Sequence, residues 1–408
     1  MSYKNNIPSF NTLKINLESL PAFFMLGFCL CIPFSSPLSS VFAVLLLVFY
    51  ILSGDYQQKW QAYATSKVAI FCTLLFCWTL ITASFSEAEP SFLHQDLFKY
   101  KKLLLCIPFF YYMKSHLKRD LIIAYVTGVF IVIGLSIPKG HGFIHLLQTG
   151  EFQYTTSFRI YITEGMHIAL ALFALLFFFK THPAFRARLV IPILIILIHS
   201  LFMHGRMGLI SLIFVALYFS FLLFETAYLK LYFFVFLLIT SIFIYQFSPL
   251  VQSRALRTIE ETSQIFNPNP VTSVRLQYFQ LSTQLFLKHP IIGNGPGSFK
   301  TANSLRDIES DLKTHLHTHN EYLTLLTQYG LIGFSLFSLI VYFSGRNLYK
   351  DHTNPYHKVI FIGLVLFLLN SLTESMLYME AYILVFLMGL CHVVSESSLF
   401  SSSKPLRL

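Results

Sequence analysis

The most chemically suggestive part of the chain is a cluster of three histidines on alternate residues, His315, His317 and His319. Asn320 follows the cluster, and an apolar run long enough to cross a membrane begins at Leu323. Imidazole is the side chain whose unperturbed pKa lies closest to neutral pH, so it suits proton transfer at the boundary between a polar segment and an apolar helix. The cluster therefore predicts proton-transfer chemistry where this helix enters a membrane.

A metal site is the alternative interpretation of the same histidines. His315 and His319 are four residues apart, so on a helix they share a face and can bind zinc. Asp311 or Glu321 would then complete the site, since no cysteine lies nearby. Interfacial histidines without chemistry are the third interpretation. We predict no metal ligand and no cofactor.

Two arginines are candidates for binding an anion. Arg275 lies in the first turn of a predicted helix, and the planar arginine fork makes paired hydrogen bonds to phosphate. Arg206 lies in a tight turn between two strongly apolar segments, where a charge is costly unless it faces a polar cavity or a partner. A solvated surface arginine and a residue that snorkels to the interface are the respective alternatives.

Three segments of the chain carry a family resemblance. Residues 288–299 read KHPIIGNGPGSF, residues 315–323 read HLHTHNEYL, and residues 329–333 read YGLIG. Together they resemble the O-antigen ligase and polymerase superfamily. The glycines of the first segment follow no predicted strand, so they are not expected to form a dinucleotide-binding fingerprint. We expect them to form a tight turn or to allow a close approach of two backbone segments.

The resemblance implies roles for individual residues. It implies that His319, directly before the asparagine of the motif, is the catalytic histidine and that His317 positions it. It also implies catalytic roles for Arg275 and Arg206, although Gly205 stands where the family pattern has a serine.

Further residues are predicted to bind or orient the substrate, and they are Arg159, His317, Asn320, Glu374 and Lys102. Arg159 and Lys102 stand beside apolar segments, where they can reach a lipid or sugar phosphate. Glu374 can pair with an arginine or orient a histidine. The alternative for Glu374 is an acidic residue on the outer surface without a special role. The alternative for Arg159 is an arginine that the topology of the spans merely tolerates.

Composition indicates an all-α, polytopic membrane protein. The 408 residues are 55% hydrophobic and 12% charged, whereas a soluble domain has roughly a quarter charged residues. The apolar runs are continuous and do not alternate, which favours helices over a barrel. We predict about twelve spans at 20–35, 37–53, 67–85, 98–113, 120–136, 164–180, 189–203, 207–224, 229–247, 321–343, 358–373 and 377–396.

The distribution of basic residues predicts the orientation of these spans. With a cytoplasmic N-terminus, sixteen Lys and Arg fall on the inside and three on the short outside loops. This places both termini in the cytoplasm and the long loop 248–320 in the periplasm. The net charge of +10 is then mostly topological, and without a clustered basic face no nucleic-acid binding is expected.

The predicted organisation has four parts. Residues 1–247 form helices 1–9, residues 248–320 a helical periplasmic loop that carries active-site residues, residues 321–396 helices 10–12, and residues 397–408 a cytoplasmic tail. Within the loop, one helix is predicted from Thr272 or Ser273 to Lys288, and a second from near Ser304 or Asp307 towards His315.

The resemblance also implies a fold type and a reaction. It implies a multi-helix glycosyltransferase of the GT-C type in the bacterial inner membrane, whose active site faces the periplasm. Such an enzyme transfers polysaccharide from undecaprenyl diphosphate to the lipid A–core acceptor, and membrane lipids surround it. An O-antigen polymerase and a protein O-oligosaccharyltransferase are the alternatives within the superfamily. A secondary transporter is the alternative from another class, although its long central loop would be cytoplasmic.

Overall fold

The computed structural model describes residues 20–140, 161–201, 206–247, 252, 256, 259, 263, 274–305, 317–350 and 356–400. Helix is the only regular secondary structure within these residues, in agreement with the predicted fold class. The helices up to the long loop are α1 Leu20–Cys31, α2 Ser36–Leu52, α3 Tyr56–Thr65, α4 Lys67–Ala83, α5 Pro90–Tyr100, α6 Cys106–Tyr112, α7 Lys118–Gly140, α8 Tyr161–Thr181, α9 Arg186–Leu201, α10 Arg206–Leu223 and α11 Ala227–Phe247.

Five further helices follow the beginning of the long loop. They are α12 Val274–Lys288, α13 Ser298–Ser304, α14 Glu321–Lys350, α15 Tyr356–Asn370 and α16 Met376–Phe400. The bounds of α12 confirm the helix predicted to run to Lys288. The second predicted loop helix falls mostly on residues 306–316, which lie outside the described residues.

Several helices are long and apolar enough to cross a membrane. Among the described residues, length and composition select four, or five if the bent pair α3–α4, with an angle of 89°, is one span. The four are Lys118–Ser136, Thr163–Thr181, Pro183–Ser200 and Glu321–Lys350, and shorter apolar helices cover Leu20–Cys31, Ser36–Leu52, Met207–Leu223, Tyr356–Asn370 and Met376–Cys391. The total of twelve spans stays a prediction.

The fourth predicted span, 98–113, is not one helix. Its residues are divided between the end of α5, a 3-10 helix at Lys101–Leu105 and the short α6. Pro108 lies near the start of α6, where it has no backbone N–H to give to a continuous helix. The division keeps the polar face of α5 beside the site and buries α6 against α16.

Ionisable side chains inside the helix bundle pair with one another. His167 Nε2 lies 3.4 Å from Glu380 Oε2, and Tyr125 Oη lies 2.7 Å from His167 Nδ1. His199 Nε2 lies 3.3 Å from Glu164 Oε1. All five side chains are buried, and pairing offsets the cost of placing polar groups among apolar helices.

The glycine-rich segment docks into a break in α14. Gly330 has φ 64° and ψ −166° within α14, and Gly293 has φ 80° in the facing turn. A Cβ at Gly293 would lie 2.4 Å from the Gln328 carbonyl oxygen, and one at Gly330 would lie 2.3 Å from that of Ile291. Only glycine fits both the conformation and the space, which confirms the predicted close backbone approach.

Backbone hydrogen bonds hold this turn against the break. Asn294 N donates to the Thr327 oxygen at 3.0 Å, and Leu331 N donates to the Pro290 oxygen at 2.9 Å. The Trp78 indole of α4 donates to the Tyr329 oxygen at 2.9 Å. The groups freed by the break are thereby satisfied, and α12, which ends just before the turn, is fixed against α14.

Candidate active site

The site is centred on a hydrogen bond between His319 and Glu374. His319 Nδ1 lies 3.0 Å from Glu374 Oε2, and the other carboxylate oxygen, Oε1, lies 3.6 Å from Arg275 Nη2. Glu374 is fully buried, whereas the Arg275 side chain is 43% exposed. The carboxylate therefore lies between an imidazole and a guanidinium, and the guanidinium still faces outward.

Helix α12 supplies two of the side chains around this carboxylate. Arg275 and Tyr278 are three residues apart and so share a face of the helix. Tyr278 is buried, and its ring stacks on His319 with centroids 6.0 Å apart and an interplanar angle of 8°. One face of α12 thus contacts both members of the His319–Glu374 pair.

His319 has an unusual backbone conformation. Its φ of 54° lies in the left-handed region, which is uncommon for residues other than glycine and must be held by its surroundings. The flanking residues provide that support, since Thr318 Oγ1 donates to the Asn320 oxygen at 2.6 Å and accepts from Asn320 N at 3.2 Å. This conformation directs the imidazole of His319 towards Glu374, two residues before α14 begins.

Asn320 caps α14 and ties it to the turn that carries Glu374. Its Oδ1 accepts from Leu323 N at 2.9 Å, and its Nδ2 donates to the Leu372 oxygen at 2.9 Å. Glu321 N also donates to the Ser371 oxygen at 2.9 Å. Both polar ends of the Asn320 side chain are engaged in positioning His319, and its predicted contact with substrate stays a prediction.

The hydrogen bond fixes the chemistry of the imidazole. A carboxylate accepts hydrogen bonds, so the Nδ1 atom of His319 carries the proton and Nε2 has the lone pair. Nε2 is therefore the atom that can accept a proton from a substrate hydroxyl, and the buried carboxylate stabilises the imidazolium that results. This arrangement suits general base catalysis.

A divalent cation is the other chemistry that these side chains can support. His317, His319 and Glu374 each offer one possible ligand atom, and these three atoms lie within 4.8 Å of one another. This group differs from the predicted one, because His315 lies outside the described residues and Glu321 instead accepts a hydrogen bond of 2.8 Å from Leu377 N. Binding of a metal by both histidines would compete with the role of His319 as a base.

A second network, of buried polar side chains, reaches His317 through the ring of Tyr378. The His317 ring lies 4.3 Å from that of His319 and 5.7 Å from that of Tyr378, between ring centroids. The Tyr378 hydroxyl accepts from Lys300 Nζ at 3.0 Å, and Lys300 Nζ lies 2.6 Å from Asp96 Oδ1. Sequence patterns did not single out these last three residues, which belong to three different helices.

Asp96 connects this network to the glycine turn and to α14. Its Oδ2 accepts from Gly297 N at 3.0 Å and from Gln328 Nε2 at 2.9 Å. Asp96 and Lys300 are both 1% exposed, so the ion pair is fully desolvated and completely hydrogen-bonded. The pair joins α5, α13, α14 and α16 below the histidines.

Lysines of α5 and the following 3-10 helix cover two tyrosines of α16. Lys99 Nζ lies 3.8 Å from the Tyr378 ring centroid, and Lys102 Nζ lies 4.4 Å from that of Tyr382. Lys99 also lies within electrostatic range of Lys300 and Asp96. Lys102 therefore contacts Tyr382, which follows the Tyr378 that packs on His317 by four residues, with the non-helical Glu380 between the two tyrosines.

The structure brings together most of the predicted site residues that it describes. His319, His317, Arg275, Glu374 and Asn320 form one cluster. Arg206 is the first residue of α10, and the structure describes only its backbone. Arg159 lies outside the described residues.

Comparison with protein families identifies a large internal segment. Residues 192–338 match the family model described as O-Antigen ligase. The match runs from α9 into α14, so it includes Arg206, Arg275 and His319 but ends before Glu374. It covers less than half of the chain and supports the O-antigen ligase and polymerase superfamily. Comparison with curated proteins gave no match.

Tyr278 lies in the segment that matches the O-antigen ligase model, and the structure adds its contact with His319. It lies within the matched segment, one turn after Arg275, and the helical spacing alone places it on the same face. Its contact with His319 depends on how α12 packs against the start of α14. That packing follows from the docking of the glycine turn, which no local pattern specifies.

Proposed function

We propose that this protein is an O-antigen ligase. It transfers polysaccharide from undecaprenyl diphosphate to the lipid A–core oligosaccharide, in the bacterial inner membrane and on its periplasmic side. The observation that carries the proposal is the His319–Glu374–Arg275 cluster, in which a base and an anion-binding arginine share one buried carboxylate. The family match over 192–338 supports the type of donor.

In the proposed reaction, His319 Nε2 takes the proton of an acceptor hydroxyl. The hydroxyl oxygen forms a bond to the anomeric carbon, and the bond from that carbon to the diphosphate oxygen breaks. Undecaprenyl diphosphate leaves with the electron pair, and attack opposite to it inverts the anomeric configuration. Glu374 stabilises the imidazolium through the hydrogen bond to Nδ1, so the positive charge develops next to a fixed negative one.

Arg275 and Arg206 hold the diphosphate in this proposal. The guanidinium of Arg275 lies at 3.6 Å from Glu374, which is longer than a hydrogen bond, and is half exposed, so its fork is available to a phosphate. Charge stabilisation by arginines replaces the divalent cation that many phosphate-transfer sites use. The apolar helices around the site hold the polyprenyl chain.

The distribution of charge supports the periplasmic location. With the twelve predicted spans, the basic residues of the short loops fall mostly on the side opposite to the loop 248–320. The end of the loop and the turn before α16 carry His319 and Glu374, so both residues face the same side. A lipid-linked polymer presented to the periplasm would reach them there.

Deletion of the gene in the host bacterium, followed by gel analysis of its lipopolysaccharide, tests the proposal. A ligase predicts loss of the polymer ladder, with the lipid-linked polymer retained in the membrane. Core carrying a single repeat unit would identify a polymerase instead. Unchanged lipopolysaccharide would contradict both and favour protein glycosylation or transport.

A further inference from the structure

A cavity of about 540 Å³ opens beside the site, on the other side of a wall of aromatic rings. It lies between the end of α12, the glycine turn, α13 and the turn that precedes α5. Its volume is within the range of sites that bind small molecules, roughly 300–1,000 Å³. None of the proposed catalytic residues lines it.

Two contacts between aromatic rings connect the wall of the cavity with His319. Ser298 lines the cavity, and the next residue, Phe299, packs edge-on against Tyr278 with centroids 5.7 Å apart. Tyr278 in turn stacks on His319 at 6.0 Å. Two buried rings, those of Phe299 and Tyr278, thus separate the cavity from the imidazole.

The lining combines apolar surface with charged groups at the rim. Phe85 is 42% exposed and Ile292 39% exposed, so flat apolar surface faces the opening. Lys288 and His289, at the end of α12, are exposed on one side, and Glu87 is exposed on the other. A pyranose ring has an apolar face and a polar rim, and such a lining complements both.

The hydroxyl of Ser298 is a further feature of the lining. Its hydroxyl oxygen is buried and has no hydrogen-bond partner among the described residues. Ser298 is also one of the residues that line the cavity. A rotation of its side chain towards a bound ligand would form a hydrogen bond and offset the cost of an unsatisfied buried hydroxyl.

We propose that this cavity is a glycan subsite, which holds a short oligosaccharide segment that carries an anionic substituent. The sugar faces pack on Phe85, and a phosphate or carboxylate binds at Lys288 and His289. The inference rests on the proposed transferase function. In that reaction, the cavity would bind sugar units that are distant from the glycosidic bond being formed. Both the phosphorylated acceptor core and an acidic donor polymer have this chemistry.

Binding to the full-length protein in lipid nanodiscs tests the subsite without any need for turnover. The probes are deacylated phosphorylated core oligosaccharide, the same fragment after phosphatase treatment, and O-polysaccharide repeat units released by mild acid. The expected result is that Lys288→Gln weakens binding of the anionic fragment at least tenfold and that of the dephosphorylated fragment less than twofold. Phe85→Ala is expected to weaken both.

Lys350→Gln is the matched control, since Lys350 is also an exposed lysine at the last position of a helix. It should leave all dissociation constants unchanged. Preferential binding of the core fragment assigns the subsite to the acceptor, and preferential binding of the repeat units assigns it to the donor; either supports the inference. Absence of binding by every fragment, or binding that Lys288→Gln and Phe85→Ala do not weaken, would overturn it.

The same measurements separate this inference from the proposed function. Fragment binding by a protein that shows no transfer to lipid A–core would sustain the subsite and refute the ligase reaction. Normal transfer by both the Lys288→Gln and Phe85→Ala variants, together with unchanged fragment binding, would sustain the reaction and refute the subsite. His319→Ala should still bind the fragments, because the cavity does not contain it.

Discussion

His319 and Glu374 lie 55 residues apart in sequence and share a hydrogen bond of 3.0 Å between Nδ1 and Oε2. The two segments that carry them are tied together at the backbone, because Glu321 N donates to the Ser371 oxygen and Asn320 Nδ2 to the Leu372 oxygen. Glu374 is fully buried, so it has no freedom to turn away. The imidazole is consequently oriented before any substrate arrives.

Glu374→Gln should lower transfer by roughly 100-fold or more, in the range typical of general acid–base contributions. Glutamine keeps the size of the side chain but removes the negative charge that stabilises the imidazolium, and its amide can turn a donor towards Nδ1. We expect donor binding to change little. Transfer rates at saturating donor, measured with purified protein in liposomes, check this.

Glu225→Gln provides the control for the loss of one carboxylate, since Glu225 is exposed in the turn between α10 and α11. Its transfer rate should match that of the wild type. A Glu374→Gln variant with a wild-type rate would show that His319 does not depend on the carboxylate.

Arg275→Ala should lower transfer by roughly 100- to 1,000-fold while the protein stays folded in the membrane. The side chain binds the leaving diphosphate in our account, and without it the buried Glu374 keeps its hydrogen bond to His319. Arg275→Lys should restore only part of the rate, because a point charge does not reproduce paired hydrogen bonds. We expect the same pattern for Arg206.

Arg346→Ala is the matched control, because Arg346 is an exposed arginine near the other end of α14. Wild-type rates in both lysine variants, at positions 275 and 206, would show that these residues provide only a general positive potential.

Lys300→Met should destabilise the protein by about 3–5 kcal/mol, because it leaves the buried Asp96 carboxylate without its counter-charge. Adding Asp96→Asn to that variant should recover part of the loss, since neither member of this pair then carries a buried charge. The asparagine oxygen can still accept from Gly297 or Gln328. Thermal unfolding of the two variants in detergent measures the difference, and equal stability would contradict the importance of the charge.

Transfer should continue in the presence of excess chelator. The arginines provide the electrostatic stabilisation that a divalent ion would otherwise give, and the imidazole acts as a base. The measurement is the transfer rate with and without EDTA after extensive dialysis. Loss of transfer with EDTA and recovery with zinc or magnesium would mean that His317, His319 and Glu374 are metal ligands.

Local sequence patterns predicted α12 and a tight turn or close backbone approach at the glycines, but not the break in α14 against which the turn docks. Turn residues and the spacing of apolar side chains placed the end of α12 at Lys288, and the positive φ of Gly293 explains the glycine at that position. The end of α12 depends on neighbouring residues only, whereas the approach of Gly293 to Gln328 also depends on tertiary packing. The span predicted at 98–113 is divided among three helical segments, and hydropathy does not register Pro108, which lies near the start of the last one.

The site itself was predicted in part. His319, His317 and Arg275 carry motif information, and the structure places them together with Glu374. The partnership of Asp96 with Lys300 could not be predicted, because 204 residues separate them and neither stands in a recognisable pattern. Contacts of this kind follow from tertiary packing, which periodicity does not encode.

The most direct test of the account measures transfer and donor binding in the same His319→Ala preparation. The account predicts that single-turnover transfer at saturating donor falls by about 100- to 10,000-fold, while the dissociation constant of the lipid-linked donor changes less than twofold. A His319→Ala variant whose donor binding is weakened, and whose transfer rate returns at saturating donor, would contradict the account and make His319 a phosphate ligand.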